Sequence, residues 1–78
     1  MLKNIHKPNP NSILIQYYLD KVKTDAEELS KEGISSITYN RKDLDCSLGM
    51  LSTLLTTMYK IRVDNEKSTH ETITFTWI

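Results

Sequence analysis

Few side chains in this 78-residue chain are suited to chemistry, and their spacing disposes of most reactions. Cys46 is the one cysteine, so it has no internal disulfide partner and no companion thiolates for a metal. It falls between Leu44 and Leu48 and reads as a small buried apolar group rather than a nucleophile. His6 and His70 stand at opposite ends of the chain, without the spacing of a metal pair. His70 has Glu66 and Glu71 nearby, but a loop histidine beside acids is ordinarily just solvated. Asp43 and Asp45, two apart on a helix, point in different directions and make no acid–base pair. With only Gly33 and Gly49, the chain has no glycine-rich phosphate loop. No enzyme, cofactor or metal centre is therefore expected. What remains is hydroxyl and cation chemistry, gathered in Ser52, Thr53, Thr56, Thr57 and Lys60.

Length and charge narrow the classes further. One small domain is expected, near the lower size limit for a core that folds without disulfides or metal. Ten Lys and Arg balance ten Asp and Glu, and 38% of residues are hydrophobic. Neutral charge with well-spaced Ile, Leu and Tyr is not the signature of disorder, and it rules out a polybasic coat. No apolar run approaches the roughly 18–20 residues that span a bilayer. The N-terminal Met1-Leu2-Lys3-Asn4 lacks the apolar core of a signal peptide, so the default location is cytoplasmic. The charge is polarised along the chain. Lys3, Lys7, Lys21 and Lys23 face only Asp20 in the first third, whereas Asp25, Glu27, Glu28 and Glu32 outnumber Lys31 in the next stretch.

The elements that must position these groups follow from periodicity. Residues 1–11, with Pro8, Pro10 and three asparagines, read as a flexible arm, and residues 12–78 as the single domain. Ile15, Leu19, Val22, Ala26 and Leu29 recur at steps of four and three, an apolar helical stripe capped near Asn11-Ser12 and stopped at Gly33. Thr24 with Glu27, and Asp25 with Glu28, resemble capping boxes that would break this helix; the unbroken stripe favours one long helix. Residues 34–39 read as a short strand. Asn40 then caps a helix of about two turns carrying Leu44, Cys46 and Leu48 and ending at Gly49. Leu51, Leu54, Leu55, Met58 and Ile61 give the next helix an apolar face, with Ser52 as a candidate cap. A strand at 61–63, a polar loop at 64–70 and a strand at 72–77 complete the chain. In the last, Ile73, Phe75 and Trp77 alternate with threonines, as on a half-buried antiparallel sheet.

This order of elements resembles the winged helix-turn-helix superfamily over residues 12–78. The resemblance rests on Leu44, Leu48, Gly49 and Met50, a helix end of Leu-Gly-aliphatic form, followed by the helix from Leu51 to Ile61. Two positions depart from the family pattern. Asp45 stands where alanine is usual, and Leu51 where Ser or Thr usually caps. The resemblance implies an α+β fold: helix, strand, helix, turn, helix, strand, wing, strand, with a small antiparallel sheet. It further implies a protein of transcriptional regulation or DNA replication that binds double-stranded DNA, with helix 51–61 in the major groove. Ser52, Thr53, Thr56 and Thr57 would then offer hydroxyls to bases or phosphates, and Lys60 would meet the backbone. Arg41 and Lys42 would hold phosphates, and Lys67, Ser68 and Thr69 would form the wing contact.

Two further readings stand beside this one. The absence of net positive charge and the uncharged Ser/Thr face suit a winged-helix module that binds another protein as adaptor, subunit or inhibitor. Tyr17 beside Leu14 and Tyr18 suits a homodimer formed through helix 12–32 or the arm; the alternative is that both tyrosines cover the core with their hydroxyls in water. The chain reads either as a complete minimal protein or as the N-terminal piece of a longer one.

Overall fold

The computed structural model describes residues 10–78, so the arm expected over residues 1–11 lies largely outside the described residues. The fold is α+β, with two helices and one three-stranded antiparallel sheet. Among the described residues no helix is long and apolar enough to cross a membrane.

Helix α1, Pro10–Ser30, is unbroken, so the capping-box alternatives at Thr24 and Asp25 are not used. Its stripe is buried as the spacing requires: Ile15, Leu19, Val22 and Ala26 are inside, and Leu29 packs against the core. The helix ends where Gly33 turns left-handed at φ 81°. The Ile34 amide donates to Leu29 O and the Gly33 amide to Ser30 O, both at 3.0 Å, which satisfies carbonyls the last turn leaves open.

Strand β1, Ser36–Asn40, pairs with β3, Thr72–Thr76, which in turn pairs with β2, Arg62–Val63, giving the order β1-β3-β2. Ile37 lies opposite Phe75 and Tyr39 opposite Ile73, so the apolar face of the sheet is continuous across β1 and β3. It meets α1 and the second helix in a core centred on Phe75, Leu51, Leu55 and Val22, all fully buried.

The segment between β1 and the second helix differs from expectation. Residues 41–48 do not form a two-turn helix. A single 3-10 turn at Arg41–Asp43 is followed by irregular chain, and helix α2 runs Leu48–Tyr59. Asn40 makes no capping hydrogen bond; its amide instead reaches Asp43 Oδ2 at 3.5 Å. Ser47 is the working cap of α2, accepting from the Met50 amide at 3.3 Å. Local Asn, Asp and Ser side chains thus compete with a helix here, as such residues do. Leu44 is still buried, so the turn meets the packing demand that suggested a helix. Consequently Gly49 lies in the first turn of α2 rather than at a bend between helices, and Ser52 is not a cap. The far end of α2 is closed by Lys60 in the left-handed region at φ 61°, an arrangement that usually falls to glycine.

Candidate nucleic-acid interface

α2 buries Leu51 and Leu55 and turns Thr53, Thr56 and Thr57 to solvent. Met58 does not join the apolar face as its spacing predicted. It is 53% exposed, as Met50 near the start of the helix is at 56%. The edge strand β2 runs beside this face. Ser52, Thr53, Thr56 and Thr57 line one shallow groove together with Arg62 and Val63. An adjoining hollow is lined by Thr56, Lys60, Arg62 and Ile78.

Arg62 is the residue that reading the sequence for sites missed. Its signal was there: in Ile61-Arg62-Val63 strand alternation turns the middle residue away from its two apolar neighbours. The exposed arginine supplies the planar, multiply donating cation that α2 itself lacks. The electrostatic setting is favourable locally and unfavourable overall. Residues 10–78 carry eight Lys and Arg against ten Asp and Glu, yet residues 46–63 hold no acid at all.

The hydroxyls are less available than their exposure implies. Ser52 Oγ donates to Gly49 O at 3.1 Å and Thr53 Oγ1 to the same carbonyl at 2.9 Å. Thr56 Oγ1 lies 2.9 Å from Ser52 O and 3.1 Å from Ile61 O. With their protons held by backbone carbonyls, these three oxygens present lone pairs outward and act as acceptors. Thr57 has no such hydrogen bond among the described residues. The face is therefore suited to accept from exocyclic base amines, while phosphates need the cations.

The remaining expected contacts separate from this groove. Arg41 and Lys42 line another hollow with Asn40, His70 and Glu71. Arg41 is turned inward: its Nε donates to Thr69 O at 2.9 Å and Thr72 O at 3.0 Å, while its amide donates to Glu71 O at 2.8 Å. It fastens the loop to β1, and Lys42 is the exposed cation of the pair.

Loop 64–71 is a stapled structure. Asp64 Oδ1 accepts from the amides of Glu66 and Lys67, at 3.1 and 3.3 Å. Thr69 Oγ1 bonds Thr72 Oγ1 at 2.8 Å and accepts from the amides of Glu71 and Thr72. Ser68 Oγ donates to Asp64 O at 2.7 Å and accepts from the Thr74 amide at 3.0 Å. Ser68 and Thr69, expected as wing contacts, are thus committed to holding loop 64–71 together, and of the three expected contacts Lys67 is the exposed group that remains. Thr74, expected on a solvated threonine face, is 2% exposed, with its hydroxyl 2.7 Å from Thr38 Oγ1.

Two ionisable groups are displaced from their ordinary behaviour. Burial first, then the hydrogen bond to Asp25, pushes the Tyr39 hydroxyl far above the usual tyrosine range; that hydrogen bond, at 2.6 Å, ties β1 to α1. Burial, followed by the charge of Asp45, raises the Cys46 thiol, which disfavours its thiolate. The cations of α1 that are described have local partners. Lys21 lies 3.8 Å from Asp25 and Lys23 4.0 Å from Glu27, and each ammonium also sits over a ring, of Tyr39 and Tyr59 respectively. No protein-family model, curated protein or solved structure matches this chain.

Proposed function

We propose that this protein is a winged-helix double-stranded DNA-binding domain acting in transcription or replication, with α2 as its reading helix. The observation that carries the proposal is the groove in which Ser52, Thr53, Thr56 and Thr57 stand beside Arg62, inside a stretch of eighteen residues without an acid. Support comes also from the element order and from the strand order β1-β3-β2, in which the strands flanking loop 64–71 pair with each other. In this reading α2 enters the major groove, its hydroxyl oxygens accept from adenine or cytosine amines, and Arg62 and Lys60 neutralise phosphates. Lys42 and Lys67 meet the backbone from outside the groove, and Arg41, Ser68 and Thr69 set the shape of the wing.

Fluorescence anisotropy with a labelled random-sequence duplex at low salt tests the proposal. Thr53→Glu with Thr57→Glu places two carboxylates on the face and should abolish binding while the far-ultraviolet circular dichroism stays native. Binding that survives both substitutions would remove α2 from the contact.

A second reading is favoured by one specific feature. Met50 and Met58 expose thioether side chains near the two ends of α2, and adaptable methionines recur at protein-binding surfaces. A wild-type domain that ignores duplex DNA at low salt would favour this protein-binding alternative.

A further inference from the structure

We infer that the free edge of β1 is a self-pairing surface, through which two copies of this chain join their sheets antiparallel about Thr38. The hydrogen bonds flanking the ladder fix its phase. The Trp77 amide donates to Ser35 O at 3.0 Å and the Arg41 amide to Glu71 O at 2.8 Å. Alternate residues of an antiparallel strand bond the same neighbour, so Ile37 and Tyr39 direct their backbone groups to β3. Ser36 and Thr38 direct both N–H and C=O the other way, and the Asn40 N–H continues the row. No described residue bonds these groups.

Sheet edges are normally guarded by lysine, proline, a bulge or shortness. The opposite edge is guarded twice over, because β2 is two residues long and carries Arg62. β1 is five residues, Ser-Ile-Thr-Tyr-Asn, with no charge, proline or glycine. Its sequence is also complementary to itself. Antiparallel pairing with Thr38 opposite its symmetry mate sets Ser36 against Asn40 on both sides, and all outward backbone groups then meet. The residues flanking the strand, Lys31-Glu32 before it and Arg41-Lys42-Asp43 after it, carry both signs, so neither end sets a block of like charge against the second copy. This surface is independent of α2, so its fate does not depend on whether DNA is the ligand.

Sedimentation of the full chain over a micromolar concentration series, with circular dichroism as a check on folding, tests the inference. The wild type should approach twice the monomer mass at the upper end. Thr38→Lys and Thr38→Glu, each at an exposed position, should both stay monomeric, because each places like charges face to face across the two-fold axis. An equimolar mixture of the two variants should recover the doubled mass. Tyr17→Ala, which alters the exposed face of α1, should associate like the wild type. A wild type that remains monomeric throughout, or association that survives Thr38→Lys alone, would overturn the inference. So would loss of association in Tyr17→Ala, which would place the contact on α1.

Discussion

Replacing Ser68 by alanine isolates the part this serine plays in loop 64–71. At that point of the sheet the Asp64 amide donates to Thr74 O at 2.8 Å, but the Asp64 carbonyl is turned to Ser68 and does not return the bond. The Ser68 hydroxyl stands in for it, accepting from the Thr74 amide at 3.0 Å. Thr74 is 2% exposed, so no solvent is at hand to replace the oxygen. An orphaned buried donor costs about 1–3 kcal/mol. For a domain of this size each kcal/mol corresponds to a fall in Tm of about 4–8 °C. The comparison variant is Ser52→Ala, which loses only a bond from a helix hydroxyl to its own turn and should stay within about 0.5 kcal/mol of wild type. Urea unfolding of the three proteins, followed by the fluorescence of the single tryptophan, gives both numbers. If Ser68→Ala is no less stable than Ser52→Ala, the serine is not a ladder substitute, and its expected role as a surface contact regains its footing.

Other substitutions probe the places where local structure departs from expectation. Gly49→Ala should leave stability unchanged or raise it by up to about 1 kcal/mol, since a Cβ there meets nothing within 4 Å and the residue is helical. A glycine at a sharp interhelical bend would instead be costly to replace, and thermal melts distinguish the two. Lys60→Gly should relieve the left-handed cap and stabilise the domain by about 1 kcal/mol, read by the same melts. Tyr39 gives a pH dependence. Its hydroxyl is raised from the ordinary value of 10.0, so above that pH the unfolded chain sheds a proton that the folded chain keeps. Its contribution to stability is therefore complete below about pH 10 and declines as pH rises further. Tyrosinate absorbance should show one of the four tyrosines titrating only as the protein unfolds, and Tyr39→Phe should abolish that late step.

The elements legible in the sequence are those whose pattern is set by one local period. The stripe from Ile15 to Leu29 and the alternation of Ile73, Phe75 and Trp77 each announce a buried face, and both are buried. Gly33 was legible because a left-handed helix stop has few alternative occupants. Residues 41–48 misled because Leu44 and Leu48 have helical spacing, although each is seated by a different element, one by the turn and one by α2. The capping serine was obscured in the same way, with Ser47 three residues ahead of the amide it caps. Hydroxyl availability was readable in principle, because Ser and Thr inside helices bond back to carbonyls three or four residues earlier. The roles of Arg41, Ser68 and Thr69 were not. They depend on how the loop folds back on β1 and β3, a contact between segments far apart in sequence.

The groove between α2 and β2 is tested most directly by the salt dependence of DNA affinity in wild type and Arg62→Gln. Each neutralised phosphate contributes about −0.9 to the slope of log K against log salt. The proposed contact predicts measurable binding whose slope becomes shallower by about one phosphate in Arg62→Gln, with the fold unchanged by circular dichroism. A slope identical in the two proteins, or no binding by either at low salt, would contradict it.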